Sequence, residues 1–403
     1  MNPKERVIAA LRGERPDIVP VTFDYLELFL EEAIERAYVN GYCDRLVSKG
    51  CVRVDCEEDA AIWASAIVGA LDGAFREPFD WIPLPGGFGP ERPAKRELRL
   101  LDGRVFDVNL ETGSTREMLR PAQETKTEEI GRQLERPELQ LSSRGDVGSF
   151  LAERYRRQVL NLREEIDVAR HVVNEHGGDR FLYIGVSAPF VEAFSILGFE
   201  GLMLSMLQSP RMLHQLLSGL LEQSVARARG FAAVGVHGVR IEEMLVGADT
   251  ISPGQYVEFA YPYERTLVDE LGRMGFFTFL YFGGDVMPRL PWIVELGIDG
   301  LAVEESKKGF TIDIAEVRES VGEKLCLVGN LDSFGVIHHG SRDEIARELA
   351  RQLGAAGRGG AFMVGIGSPL PLDTDVEQVI IAAGLARQLG RYDNMGGINH
   401  AGA

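Results

Sequence analysis

Two glutamate pairs, Glu242-Glu243 and Glu304-Glu305, each close a short apolar run, and Asp24 closes another. At boundaries of the same kind stand Glu57 and Glu58, Ser187, Tyr281, Phe282 and Asp285, Asn330 and Asp332, and Ser368. The set is mainly acidic. Carboxylates that converge repel one another and lift at least one pKa into the range of general acid or base work, or they gather a hard cation or a cationic substrate. Each has an equal claim to be a solvated loop acid. Glu242, Glu243, Asp285, Glu304 and Glu305 are the candidates for proton transfer. Asp24, Asn330, Asp332 and Ser368 are candidates for substrate binding, with Tyr281 and Phe282 as an aromatic wall. Gly283-Gly284 lets backbone approach a ligand closely, and a plain tight turn explains it equally well.

The elements that must carry these residues are short β-rich runs alternating with helical patterns. The runs are IVPVTFD (18–24), CVRVDCE (51–57), FLYIGVS (181–187), GVRIEEM (238–244), FFTFLYF (276–282), GLAVEES (300–306), LCLVGN (325–330) and AFMVGIG (361–367). Between them lie segments with apolar residues at three and four spacing, such as RDEIARELARQLGAAG. Eight such repeats close a (β/α)8 barrel, and neither GxGxxG nor GxxxxGK[ST] is present to argue for an open nucleotide-binding sheet. Active sites in such barrels lie at the carboxyl ends of the strands, where the acids above fall. Neighbouring strand residues face opposite sides, so at most one member of each glutamate pair is expected in the pocket.

Between the second and third runs, over about residues 72–180, an insertion is expected. In it RELRLLDGRVFDVNLETG reads as a hairpin turning at Asp102-Gly103, and VGSFLAERYRRQVLNLREEIDVARHVVNEHGG as one long amphipathic helix. No linker divides the chain, so residues 1–403 are read as a single barrel domain with a loose tail at about 392–403.

With 61 acidic against 43 basic residues the net charge is -18, a field that repels nucleic acid and anionic lipid surfaces. Hydrophobic residues make up 45% of the chain, enough for a sizeable core, and no apolar run reaches the length of a membrane span. Cys43, Cys51, Cys56 and Cys326 form no CxxC pair, so no local zinc motif is readable and a reduced, cytoplasmic protein is expected. His171 and His176 are five apart, which is wrong for one helical face. The adjacent His338 and His339 read as an exposed turn.

NPKERVIAALRGERPDIVPV at the start, GADTISPGQYVEFAYPY (247–263), LYFGGD (280–285), LVGNLDS (327–333) and GSPLPLDTDVEQV (367–379) together resemble the uroporphyrinogen decarboxylase superfamily. The resemblance spans nearly the whole chain and least covers the inserted hairpin and long helix. It implies a (β/α)8 enzyme of one of two branches: decarboxylases of the tetrapyrrole pathway, or methyltransferases serving corrinoid or other carriers. The opening and the SPGQYVEFAYPY segment look closer to the methyltransferases. Many of these hold zinc with an HxC pair at the fifth strand end and a Cys after the eighth; the matching positions here are Tyr281, Gly283 and Ser368. A phenol, a glycine and a hydroxyl do not replace imidazole and thiolate, so the family zinc is not expected. The decarboxylases hold a polycarboxylate with an RQAGR-like segment after the first strand, where this chain reads FDYLELFLEEA. Arg53 and Arg240 lie within runs and would clamp a carboxylate if they face inward.

The leading expectation is an enzyme that passes a one-carbon unit from a small methylated substrate to a corrinoid or folate carrier, without the family zinc. The alternatives are a cofactor-free decarboxylase of uroporphyrinogen type and a non-catalytic binding protein on the same barrel. The expected partners are a small molecule and a corrinoid protein, with a homodimer plausible from the resemblance.

Overall fold

The computed structural model describes residues 1–54, 56–74, 79–84, 96–110, 112–118, 141, 143–307 and 309–392. The expected tail therefore lies outside the described residues from 393 onward, and the Glu57 side chain lies outside them too.

Among the described residues eleven strands form two sheets: β1 (Cys51–Arg53), β2 (Trp81–Pro83), β3 (Arg96–Leu101), β4 (Arg104–Asn109), β5 (Thr115–Glu117), β6 (Phe181–Ser187), β7 (Gly238–Glu243), β8 (Phe277–Phe282), β9 (Gly300–Val303), β10 (Cys326–Val328) and β11 (Phe362–Met363). The larger sheet is wholly parallel in the order β11-β10-β9-β8-β7-β6-β2. Its two edges meet on residues 20–22. Val21 bridges Val364 in parallel, Thr22 N–H donates to Val364 O at 2.8 Å, and Asp80 N–H donates to Val21 O at 3.1 Å. The Asp80 carboxylate, itself fully buried, accepts from Val21 N–H at 2.7 Å and clamps this seam. The ring is a TIM-type (β/α)8 barrel.

The second barrel position corrects the sequence reading. Residues 51–53 form β1, but its burial alternates exposed, buried, exposed, so it has one covered face. A barrel strand is covered on both faces, and the short run WIP at β2, buried throughout, takes that place. It is too short for a periodicity to register, and Pro83 argues against a central strand. β1 instead joins the antiparallel sheet β1-β3-β4-β5. Arg53 is consequently exposed, and Glu58 pairs with Arg45 on the surface.

The inserted hairpin turns where expected. Leu101 pairs with Arg104, leaving Asp102-Gly103 as a two-residue turn with φ 50° and 77°, the positive values that a type I′ turn requires. The long helix runs Arg144–His176, begun by a capping box between Ser143 and Asp146. Among the described residues one helix, Pro189–Gln208, is long and apolar enough to cross a membrane by length and composition; it buries Phe190, Leu197 and Leu202 in the protein core.

Side chains, not solvent, fill the barrel: Trp81, Phe181, Tyr183, Phe279, Tyr281 and Met363 pack in one cluster. Helix Pro3–Leu11 joins this cluster through Val7, Ala10 and Leu11.

Candidate active site

Strand register decides which acids reach the barrel interior. Ser187, Glu242, Tyr281 and Ala302 lie side by side across β6 to β9. Arg240 lies two residues below Glu242 on the same face of β7. Arg240, only 1% exposed, faces Asp24 at 3.2 Å and Glu242 at 3.8 Å. Tyr183 donates to Asp24 Oδ1 at 3.0 Å, and Tyr25 donates to Glu242 Oε1 at 3.3 Å. One guanidinium thus stands between two carboxyls.

Burial opposes the charge on Arg240, but Tyr25, Asp24, Tyr183 and Glu242 outweigh it and hold the group cationic. Burial raises the pKa of Asp24 and of Glu242, with Arg240 only partly offsetting it in each. A single positive charge does not fully offset two buried carboxyls, each of which accepts from one phenol, so burial favours a proton on the pair. Glu242 Oε2 and Asp24 Oδ2 find no hydrogen-bond donor among the described residues.

A second group of acids flanks Tyr281 on the other side. Glu305 Oε1 accepts from Ser368 Oγ at 2.7 Å and Lys307 Nζ at 2.6 Å, and Glu304 Oε2 accepts from Gly284 N–H at 2.9 Å. Burial raises Glu304 despite that donor. The Tyr281 hydroxyl donates to Gly367 O at 3.0 Å, and burial, with Tyr25, Glu304, Glu305 and Glu242 nearby, keeps it firmly protonated. At this pair both glutamates reach the strand ends, contrary to the one-in, one-out expectation. The reason is that β9 stops at Val303, and alternation stops with it.

Other expected site residues are engaged elsewhere. Glu243, fully buried, faces away from the barrel toward Glu264 and Tyr256, and Phe282 beside it in register is also fully buried on that outer face, so neither forms a pocket wall. Asp285 accepts from Met287 N–H at 3.2 Å within its own turn, and Asp332 caps a helix start by accepting from Phe334 and Gly335 N–H at 3.0 and 2.7 Å. Asn330 donates to the carbonyls of Glu304 and Ile312 and accepts from Gln352, pinning two loops. The Gly284 turn, with φ 97°, makes room for the Asp249 carboxylate, which accepts from Asp285 N–H at 2.9 Å. Tyr25 and Tyr183 went unselected in the sequence. Tyr183 shares the inward face of its strand with Phe181, so a period-two reading of FLYIGVS carries the signal for it. A surface hollow of about 470 Å³ beside Arg144, His214 and Gln215 lies in the helix layer, away from the strand ends.

Residues 151–388 match the family model described as uroporphyrinogen decarboxylase (URO-D). The chain belongs to the URO-D family. Curated URO-D relatives include the uroporphyrinogen decarboxylases of Trichodesmium erythraeum, 29% identical over 174 residues, and of Hamiltonella defensa, 27% identical over 248 residues. Those alignments cover 42% and 59% of this chain, and 46% and 66% of the relatives, so the match spans about half to two thirds of their length. A methyltransferase from Methanosarcina mazei shares the fold, with a TM-score of 0.61 at 19% identity over 96% of this chain and 99% of that one.

The zinc of the URO-D methyltransferase branch has no fitting donor set here. Tyr281 spends its proton on a carbonyl, Gly283 has no side chain, and Ser368 donates to Glu305. Among the described residues no three His, Cys, Asp or Glu side chains gather in a metal-holding group.

Proposed function

We propose that this URO-D family protein is an enzyme that removes a methyl group from oxygen in a small uncharged substrate and passes it to a corrinoid or folate carrier. One observation carries the reading: Glu242, a carboxyl whose pKa burial raises, holds an unpartnered oxygen at the strand ends beside Arg240. A methyl on quaternary nitrogen leaves behind a neutral amine and needs no acid. A methyl on oxygen leaves an alkoxide or phenoxide unless a proton arrives. In the step, the carbon–oxygen bond breaks as the methyl–carrier bond forms, and the Glu242 proton goes to the leaving oxygen. Arg240 and the Tyr25 hydroxyl then stabilise the Glu242 carboxylate, against repulsion from Asp24, until solvent reprotonates it. The fold shared with the M. mazei methyltransferase agrees with this direction. The free thiols Cys43, Cys51 and Cys326 suit a reducing compartment, and we place the enzyme in the cytoplasm.

The test supplies methanol, 2-methoxyphenol or trimethylamine with cob(I)alamin or tetrahydrofolate and follows methylated carrier. Methyl transfer from an oxygen-bound donor is expected. No transfer from any donor to either carrier would overturn the reading.

The names of the curated relatives favour a second reading, decarboxylation of a uroporphyrinogen-type substrate. Asp24, Glu242, Glu304 and Glu305 at the strand ends against Arg240 and Lys307 make a poor seat for a polycarboxylate. Coproporphyrinogen formation from uroporphyrinogen is the measurement that would instate it.

A further inference from the structure

Tyr25 follows Asp24 at the bend that leads from the Val21 segment into helix Leu26–Phe29. Its φ is 60°, in the left-handed region that favours glycine. Among the described residues only Asp102 and Leu245 share that feature without being glycine, and Asp102 belongs to the hairpin turn that requires it. A helix start asks for no such conformation, since the residue before the first helical position normally lies in the extended region. The reason lies in the side chains. Consecutive residues of an extended chain point to opposite faces, so Asp24 and Tyr25 would fall on opposite sides of the barrel wall. Here both reach Arg240: Asp24 Oδ1 stands 3.2 Å from Nη1, and the Tyr25 ring lies 4.3 Å from the guanidinium. The ring also meets Tyr281 edge-on at 5.6 Å, and the hydroxyl donates to Glu242 Oε1 at 3.3 Å. Glycine would relieve the backbone and lose each of these contacts.

We propose that Tyr25 is a positioning residue whose hydroxyl fixes Glu242 with Oε1 as the acceptor, so that Oε2 carries the transferable proton. A neutral carboxyl has one oxygen that accepts and one that bears the proton. Oε1 takes the hydrogen of the phenol, which leaves Oε2, the oxygen with no donor among the described residues, as the hydroxyl. When that proton leaves, the phenol remains on Oε1 and stabilises the new carboxylate, while Arg240 Nη2 stands 3.8 Å from Oε2. Tyr25 acts only through Glu242. The consequence for methyl transfer rests on the proposed function; the positioning of the carboxyl does not.

Tyr25→Phe keeps the ring and removes only the hydroxyl, so the packing around Arg240 is retained. The Glu242 carboxyl of the full chain is followed by infrared difference spectroscopy against pH, its carbonyl band being the one that Glu242→Gln removes. In Tyr25→Phe this band is expected at higher frequency, because its carbonyl oxygen has lost a donor. Its titration is expected to move to higher pH, because the carboxylate has lost one too. A band and midpoint unchanged from wild type would overturn the proposal, as would a Glu242→Gln protein that loses no titrating band. In methyl transfer, Tyr25→Phe is expected to lower kcat about tenfold with KM little changed. The same substitution made in Glu242→Gln should have almost no effect, since no proton is left to position. An equal loss in both backgrounds would give Tyr25 a structural role alone and overturn the proposal. A shifted band and midpoint in a protein that transfers no methyl group would keep the positioning and remove the methyltransferase reading. Transfer with an unmoved band would do the reverse.

Discussion

At the scale of single residues, the site is a problem of three charges in a dry place. Arg240 faces two carboxyls and only partly offsets the burial of each, which favours a proton on the cluster. Replacing Glu242 by Gln keeps the size and removes the transferable proton. We expect kcat for methyl transfer to fall by about 10²–10⁴-fold with KM little changed. Wild-type activity should decline as pH rises through the raised Glu242 pKa, because the working form is the protonated one, and the residual activity of Glu242→Gln should lack that decline. A pH–rate profile of both proteins checks this. Much of the acid set was legible because carboxylates at the ends of apolar runs stand out in a sequence. Asp24, Glu242, Glu304, Glu305, Tyr281 and Ser368 do meet around the strand ends. Asp285 and Asp332 carry the same signal and merely cap turns, because a carboxylate after a strand serves the next helix as readily as a ligand.

At the scale of elements, strand alternation separates Glu242 from Glu243 and gives the outer one a different task. Glu243 and Glu264, both buried, face each other between β7 and helix Tyr261–Arg273, with Tyr256 donating to Glu264 at 2.6 Å. Burial pushes Glu264 up to about 7 and Glu243 well above its ordinary value, so the pair holds a proton that the unfolded chain releases near 4.5. Between these values the native state binds more protons than the unfolded one, and stability falls as pH rises. The expected loss from Glu264 between pH 4.5 and about 7 is on the order of 3 kcal/mol. Denaturant titrations across that window should show it, and Glu264→Gln should flatten the fall; a variant with the wild-type slope would contradict the assignment. Six of the eight barrel positions were legible because β6 to β11 are buried runs followed by helical periods. The first run was placed correctly too, although it joins the ring through little more than Val21 and its neighbours. The second was not, because three residues and a proline carry no period.

At the scale of the whole molecule, two assemblies must stay joined: the barrel with its helices, and the small antiparallel sheet. A buried hub does part of this. Arg96 on β3 binds Asp59 of helix Cys56–Ala74 and Asp107 of β4, while Tyr38 and Tyr42 donate to Asp59 at 2.5 and 2.8 Å. Arg96→Ala leaves two buried carboxylates without their cation and is expected to cost about 3–5 kcal/mol in unfolding free energy, measured by urea titration. The replacement of Asp59, Arg96 and Asp107 together by apolar residues of similar volume should recover much of that loss. The seam at Val21 has a consequence of another kind. Its partners, Val21 and Val364, come from opposite ends of the chain. At a synthesis rate of roughly 5–20 residues per second, the ring stays open for tens of seconds after its first strand emerges from the ribosome. During that interval the Val21 segment and the growing carboxyl-side strand present unpaired edges, and such edges are templates for pairing with other chains.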